Sequence, residues 1–144
     1  MSRAAPNKRT GAVRLFIYGS LLPGQYNHFV AEPFVLQAFP GQVRGKLADA
    51  GCYPALVIGS GGIVRGLWMD IAREGLPAID ELEEFFGIEE KNDYERVWVT
   101  DAENPAVEGW VYAWTDARGF PLTEEEWWPD VIRDKQDNNE KRQR

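Results

Sequence analysis

The sequence predicts an α+β fold, an antiparallel β-barrel or strongly bent sheet with one main helix packed on it. Three observations carry that prediction. Six or seven short stretches alternate apolar with polar residues, or run strand formers together. One segment, Leu76 to Phe86, repeats its apolar residues at the helical period. Helices do not recur between the strands, so the rhythm of a parallel βαβ sheet is absent. At 144 residues the chain can bury a core of ordinary size.

Residues 1–11 are small, basic and polar, and are expected to form a disordered leader; a single domain is expected over 12–133. The first strand is Ala12 to Tyr18. Both faces of Leu15-Phe16-Ile17-Tyr18 are apolar, which places it centrally in its sheet. Leu22 to Gln25 reads as loop and Asn27 to Ala31 as a helical turn. Pro33 to Leu47 is a long extended segment with a bend or bulge expected at Pro40-Gly41. Asp49 to Pro54 is a turn, in which the following proline holds Tyr53 extended. Ala55 to Ile58 is a short strand, and Gly59-Ser60-Gly61-Gly62 reads as a hairpin loop into a strand over Ile63–Ile71. There Val64, Gly66, Trp68 and Asp70 share one face, while Ile63, Arg65, Leu67, Met69 and Ile71 share the other.

In the helix over Leu76–Phe86, Pro77 sits in the first turn, where its missing N–H costs nothing, and Gly87 ends it. Ile88 to Asp93 is an acidic loop. Tyr94–Thr100 and Glu108–Thr115 alternate as strands around an Asn104-Pro105 turn, with Trp110, Tyr112 and Trp114 on one face of the second. Thr123-Glu124-Glu125-Glu126 reads as a helix start, since threonine caps and glutamate favours the first turn. Trp127-Trp128-Pro129 is placed folding back on the body. Residues 134–144 read as a disordered charged tail.

Composition narrows the function. The chain is 44% hydrophobic and 27% charged, as in ordinary globular proteins. A net charge of -7 argues against nucleic acid or an anionic membrane as a partner, because both demand clustered positive charge. The lone Cys52 excludes an internal disulfide and a multi-cysteine zinc site. The lone His28 speaks against a histidine metal site or a Ser-His-Asp triad and reads as a turn residue after Asn27. The N-terminus lacks the apolar region of a signal peptide, and no run of about 18 apolar residues is present. The cytoplasm is the expected compartment. There is no P-loop, dinucleotide-binding fingerprint, repeat or metal-ligand cluster.

Two stretches carry candidate chemistry. Leu15 to Leu21 is a strand that breaks at Gly19-Ser20. A strand ending there leaves backbone N–H groups unpaired, and glycine allows the turn through its missing Cβ and access to positive φ. Unpaired N–H groups hold carboxylates and developing oxyanions. The residues alone read equally as a plain strand end. The second stretch is Ile79-Asp80-Glu81-Leu82-Glu83. Glu83 falls on the helix face of Leu76, Ile79 and Phe86. A carboxylate there is paired, sits at the edge of the apolar stripe, or is held near-neutral by desolvation, as a general base requires. Asp80, Glu81 and Glu84 read as solvent-facing or capping. The fold is expected to bring Glu83 to the mouth of the Tyr18–Leu21 turn. Trp110, Tyr112 and Trp114 read as packing rather than as a ligand platform.

In order along the chain stand Tyr18-Gly19-Ser20-Leu21 with Leu22-Pro23-Gly24 and Asn27-His28, Gly51-Cys52-Tyr53-Pro54-Ala55-Leu56-Val57, Val64-Arg65-Gly66, Ile79-Asp80-Glu81-Leu82-Glu83 and Tyr94-Glu95-Arg96. Over about residues 13–115 the chain resembles the γ-glutamylcyclotransferase-like proteins, in the short bacterial and plant-type branch that includes γ-glutamylamine cyclotransferase. Ile79 departs from the family's usual leucine, and Glu84-Phe85 stands where glycine and an aromatic are usual. The resemblance implies an α+β fold, a mixed, mostly antiparallel β-barrel with helices packed on it and a cavity at one end. It implies Glu83 as the acid/base and Tyr18, Gly19, Ser20 and Leu21 as substrate-binding, with Tyr53 and Tyr94 joining them. It implies a small-molecule γ-glutamyl substrate, closure of 5-oxoproline with release of an amine, and no metal or organic cofactor. Two alternatives stay open: a cyclotransferase acting on glutathione, whose chains are generally longer, and a non-catalytic binding module of the same fold.

Overall fold

The structure is a computed structural model that describes residues 11–83 and 93–142. Its strands are β1 (Ala12–Ile17), β2 (Val35–Arg44), β3 (Lys46–Asp49), β4 (Pro54–Val57), β5 (Ile63–Ala72), β6 (Glu95–Thr100), β7 (Glu108–Trp114) and β8 (Leu122–Thr123). They form one sheet in the order β2-β5-β1-β7-β4-β3-β8, with β6 also paired to β7. Pairing is antiparallel except for β1 with β7 and β4 with β7. The helices are α1 (His28–Ala31), α2 (Leu76–Leu82) and α3 (Trp128–Arg142). The mixed, mostly antiparallel α+β architecture expected from the sequence is the one observed.

The sheet curls because its longest ribbon bends. β2 and β3 run as one strand, and β4 and β5 return along it. Asp49 opposes Pro54 and Lys46 opposes Val57, then Arg44 opposes Ile63 and Gly41 opposes Gly66. The hairpin turn therefore lies at Ala50–Tyr53, where the Ala50 N–H donates to the Tyr53 carbonyl at 3.1 Å. The expected hairpin at Gly59–Gly62 is instead a bulge loop within the returning strand. Glycine signals positive φ, and Gly59, Gly61 and Gly62 do adopt it, but here the freedom expels residues from the ladder rather than reversing the chain. The Ser60 hydroxyl pins the loop, accepting from the Lys46 N–H at 2.8 Å and donating to the Val57 carbonyl at 2.6 Å.

The bend on the other strand is at Gly45, with φ 147°, and not at Pro40-Gly41. Pro40 and Gly41 keep regular register against Leu67 and Gly66, and the register shift falls between Val35 and Gln37. Pro40 is tolerated because β2 is an edge strand. Gly41 is there for space: a Cβ would lie 2.2 Å from Cδ1 of Trp68. Beyond the bend, the β5 half of the ribbon pairs with β1 and the β4 half pairs with β7.

Both faces of β1 are buried, as its sequence predicts. Leu15 and Ile17 join Met69, Ile71 and Ile79 of α2 on one side; Phe16 and Tyr18 join Trp68, Val43 and Leu56 on the other. The second cluster is completed from the C-terminal segment by Trp128, 1% exposed, and Val131, so the tryptophan pair does fold back. The helix there begins at Trp128, not at Thr123. Thr123 pairs with Leu47 in β8 instead, and its hydroxyl accepts from the Glu125 N–H at 3.1 Å. Residues 134–142, expected to be disordered, continue α3. Lys135 ties that helix to the hairpin turn, with Nζ 2.7 Å from Oδ1 of Asp49 and 2.9 Å from the Gly51 carbonyl. The leader over 1–10, residues 84–87 at the end of the expected helix and residues 88–92 of the acidic loop lie outside the described residues.

Candidate active site

Strand β7 gives one edge to two successive parallel neighbours. Leu15 of β1 opposes Trp110; further along, Leu56 and Val57 of β4 oppose Ala113 and Trp114. β1 stops at Ile17, and the opening between its carboxyl end and β4 is a cavity of about 240 Å³. Carboxyl ends of parallel strands, at a point where neighbours change, are where open sheets bind ligands. Tyr18, Gly19, Ser20, Leu21, Tyr53, Glu83 and Tyr94, the full set singled out in the sequence, all line this cavity.

The turn after β1 is held by its carbonyls. The Leu22 N–H donates to Gly19 at 3.0 Å, the Asn27 N–H to Ser20 at 3.1 Å, and Nδ1–H of His28 to Leu21 at 2.8 Å. His28 is therefore not the turn residue expected from the sequence but the first residue of α1, its ring bracing the turn from outside the cavity. The Ser20 hydroxyl accepts from Nδ2 of Asn27 at 3.0 Å. No backbone carbonyl among the described residues engages the N–H groups of Gly19, Ser20 or Leu21, and all three residues line the cavity. Gly19 does not use positive φ. Its missing Cβ matters because that atom would sit 2.9 Å from Cγ of Pro54, where the turn passes over β4. The Tyr18 hydroxyl stitches the opening, donating to the Tyr112 carbonyl of β7 at 2.6 Å and accepting from the Leu56 N–H of β4 at 3.0 Å. The Tyr94 hydroxyl donates to the Pro54 carbonyl at 2.7 Å.

Glu83 closes α2, its N–H donating to the Ile79 carbonyl at 3.0 Å, and its half-buried side chain opens onto the cavity. Desolvation among the tyrosines and apolar walls pushes its carboxyl up to about 7, with further lift from the charge of Asp93. Burial, reinforced by Glu83, raises the Tyr18 and Tyr94 phenols and keeps them neutral. No lysine, arginine or histidine lines the cavity among the described residues. An anionic group entering here meets backbone N–H, serine and asparagine, while an ammonium meets Glu83 and Asp93.

Of the lining residues that the sequence does not single out, four carry polar side chains: Tyr26, Asn27, Asp93 and Tyr112. Asn27 stands in the opening motif, and its neighbourhood with Ser20 was the available signal. Tyr112 was read as packing from its alternation with Trp110 and Trp114. Its hydroxyl donates to Asp80, which also receives Nη1 of Arg96 at 2.9 and 3.1 Å. Asp80 is therefore part of a network between α2, β6 and β7 and not a solvent-facing or capping residue. Burial, then the bond to Asp80, holds the Tyr112 phenol neutral. Asp93 reaches the site only through the path of the chain before β6, which no local pattern encodes. Among the described residues no cluster of three or more His, Cys, Asp or Glu is placed to hold a metal, and no helix is long and apolar enough to cross a membrane.

A curled mixed sheet that parts over a cavity lined by Glu83 and the Tyr18–Leu21 turn is the frame of the candidate site. Residues 15–130 match the family described as "Gamma-glutamyl cyclotransferase, AIG2-like", and the chain belongs to that family. It is 34% identical over 103 residues to the γ-L-glutamyl-butirosin B γ-glutamyl cyclotransferase of Niallia circulans, covering 69% of this chain and spanning 65% of that relative's length. Among solved structures it resembles an AIG2-like protein from Mus musculus (TM-score 0.59, 26% identity, 79% of this chain and 87% of that one). It also shares its fold with an uncharacterized protein from Pyrococcus horikoshii (TM-score 0.65, 18% identity, 86% and 96% of the two chains). The family resemblance read from the sequence motifs is borne out.

Proposed function

We propose that this chain is a γ-glutamyl cyclotransferase that releases 5-oxoproline and a free amine from a γ-glutamyl amine or amide, with Glu83 as general acid/base. The observation that carries the reading is the placement of a carboxyl titrating near neutrality in one cavity with the unengaged N–H groups of Gly19, Ser20 and Leu21.

The substrate holds its own nucleophile. Its α-ammonium gives a proton to the Glu83 carboxylate, and the freed amine attacks the γ-carbonyl carbon to close a five-membered ring. The N–H groups of the turn stabilise the oxyanion that forms. When the tetrahedral species collapses, Glu83 returns its proton to the leaving nitrogen and the C–N bond breaks; the ring nitrogen gives its second proton to the ionised Glu83, which passes it to the departing amine, so 5-oxoproline forms neutral at its nitrogen and the amine leaves as an ammonium. Atoms balance without water, and every proton comes from the substrate or Glu83, so the steps call for no cofactor. Holding the γ-glutamyl chain folded supplies proximity. Tyr18, Tyr53 and Tyr94 form the walls against which it folds. The expected setting is the cytoplasm, and the acidic chain has no role for nucleic acid.

The test is 5-oxoproline release from γ-glutamyl-amino acids, γ-glutamyl-ε-lysine, simple γ-glutamylamines and glutathione, with Glu83→Gln alongside. Release from at least one class, reduced at least about 100-fold in Glu83→Gln, is expected for loss of an acid/base group. Silence across the panel with ligand still bound would replace the enzyme by a binding module. Turnover surviving in Glu83→Gln would remove Glu83 from the mechanism.

A further inference from the structure

A charged clamp outside the cavity holds one of its walls. Arg118 lies in the turn after β7, where the Ala117 carbonyl accepts from the Phe120 N–H at 2.9 Å and Oδ1 of Asp116 accepts from the Arg118 N–H at 2.8 Å. It is the one non-glycine residue with positive φ among the described residues, at 54°, and Gly119 follows at 83°. Left-handed backbone is unfavourable for a long side chain, and the turn would form more easily with glycine or asparagine there. What the arginine does is specific. Its guanidinium lies 4.1 Å from the Trp114 ring centroid, which fixes its plane. From that seat Nη1 contacts Oδ1 of Asp93 at 3.2 Å and Nη2 donates to the Asp93 carbonyl at 2.6 Å. Arg118 does not line the cavity; Asp93 does, together with Glu83.

We propose that Arg118 is a positioning residue: by orienting the Asp93 carboxylate and partly neutralising it from outside the cavity, it sets the negative charge that Glu83 faces. The inference rests on Glu83 being the acid/base of this site. Among the described residues, the groups facing Glu83 leave this assignment to Asp93. Tyr18 comes from the end of β1, Tyr53 from the β3–β4 turn and Tyr94 from the start of β6, and Tyr26 and Tyr112 complete the lining; all are phenols. Asp80 of α2 is paired with Arg96 of β6. Asp93 is thus the charged neighbour whose effect on Glu83 can be graded, and Arg118 is the residue that grades it. Without the guanidinium, Asp93 carries its full charge, the ionised form of Glu83 is disfavoured, and Glu83 keeps its proton to higher pH.

The readout is the titration of Glu83, followed by carbon NMR in full-length protein labelled at the glutamate carboxyl carbon, with Glu83→Gln to assign the resonance. Arg118→Met and the milder Arg118→Gln are each expected to move the midpoint up by about 0.5 pH unit, and Arg118→Lys to move it back towards the wild-type value. Asp93→Asn is expected to move it down, and adding Arg118→Met to Asp93→Asn to move it no further. In turnover the same shift reads as about a threefold loss of kcat/KM at pH 6. A midpoint unmoved in folded Arg118→Gln, or a shift that persists in the Asp93→Asn background, overturns the proposal. The NMR readout needs no turnover, so an inactive protein with a coupled Glu83 would sink the enzymatic reading and leave the clamp standing.

Discussion

Replacing Glu83 by glutamine should make the protein more stable as it destroys the site. The carboxyl ordinarily titrates at 4.5 and is pushed up to about 7 in the fold, chiefly by desolvation. The folded state therefore holds this proton more tightly than the unfolded one. Below pH 4.5 the group is neutral in both states and costs nothing. As pH rises from 4.5 to about 7 the unfolded chain ionises first and gains relative stability, and above 7 the difference is constant. The gap of about 2.5 pH units, at 1.36 kcal/mol each, amounts to about 3 kcal/mol. Glutamine is neutral and nearly the same shape. Glu83→Gln should match wild type at pH 4.5 and exceed it by about 2–3 kcal/mol at pH 8, or about 10 °C in Tm for a chain of this length. Chemical denaturation at pH 4.5, 6 and 8 measures this, with Glu81→Gln on the exposed side of α2 as a surface control. Equal stability of Glu83→Gln and wild type at all pH values, or a less stable variant at pH 8, would show that Glu83 is not a desolvated carboxyl, and the base would have to be sought elsewhere.

Three further outcomes follow from the geometry. kcat/KM on the best γ-glutamyl substrate should fall on the acid side with a midpoint near pH 7, because the base must be ionised; a profile flat down to pH 5 contradicts that assignment. Tyr18→Phe strands the Tyr112 carbonyl and the Leu56 N–H that its hydroxyl joins, and should cost about 2–3 kcal/mol in denaturant; an unchanged midpoint would mean that the opening between β1 and β4 needs no such tie. Gly41→Ala drives a methyl into the Trp68 ring and disturbs its 2.9 Å bond to Asp101, so a loss of at least about 2 kcal/mol with altered tryptophan fluorescence is expected; wild-type stability would mean that the ring can move aside.

The site was more legible in the sequence than the connections between strands. Leu15-Phe16-Ile17-Tyr18 announces a strand buried on both faces, and Gly19-Ser20 ends it, because both signals are local. Glu83 stands out because a carboxylate on the stripe of Leu76 and Ile79 conflicts with its neighbours, and such a conflict flags a candidate site. Chain reversals were harder to place. Gly59-Ser60-Gly61-Gly62 has stronger turn chemistry than Ala50–Tyr53, yet the reversal is at the latter, since register along the whole ribbon outweighs local preference. The charged run from Asp134 has little to bury, and its helix instead inherits order from Trp128 and from the hold of Lys135 on the hairpin turn. Asp80, Asp93 and Arg118 act through partners 16 to 32 positions away, a range over which no periodicity speaks.

The two parallel neighbours of β7 also bear on when the site comes into being. Tyr18 and the carbonyl it reaches on Tyr112 are 94 residues apart in sequence, and contacts of that span close late in folding, after local hairpins have shortened the path. During synthesis the β2–β5 ribbon can form and collect β1 along one edge while β7 is still unmade. A nascent chain at that stage carries the Tyr18–Leu21 turn and Glu83 with no wall between them. The chamber around Glu83 is thus a product of completion: it exists only once the C-terminal third has arrived.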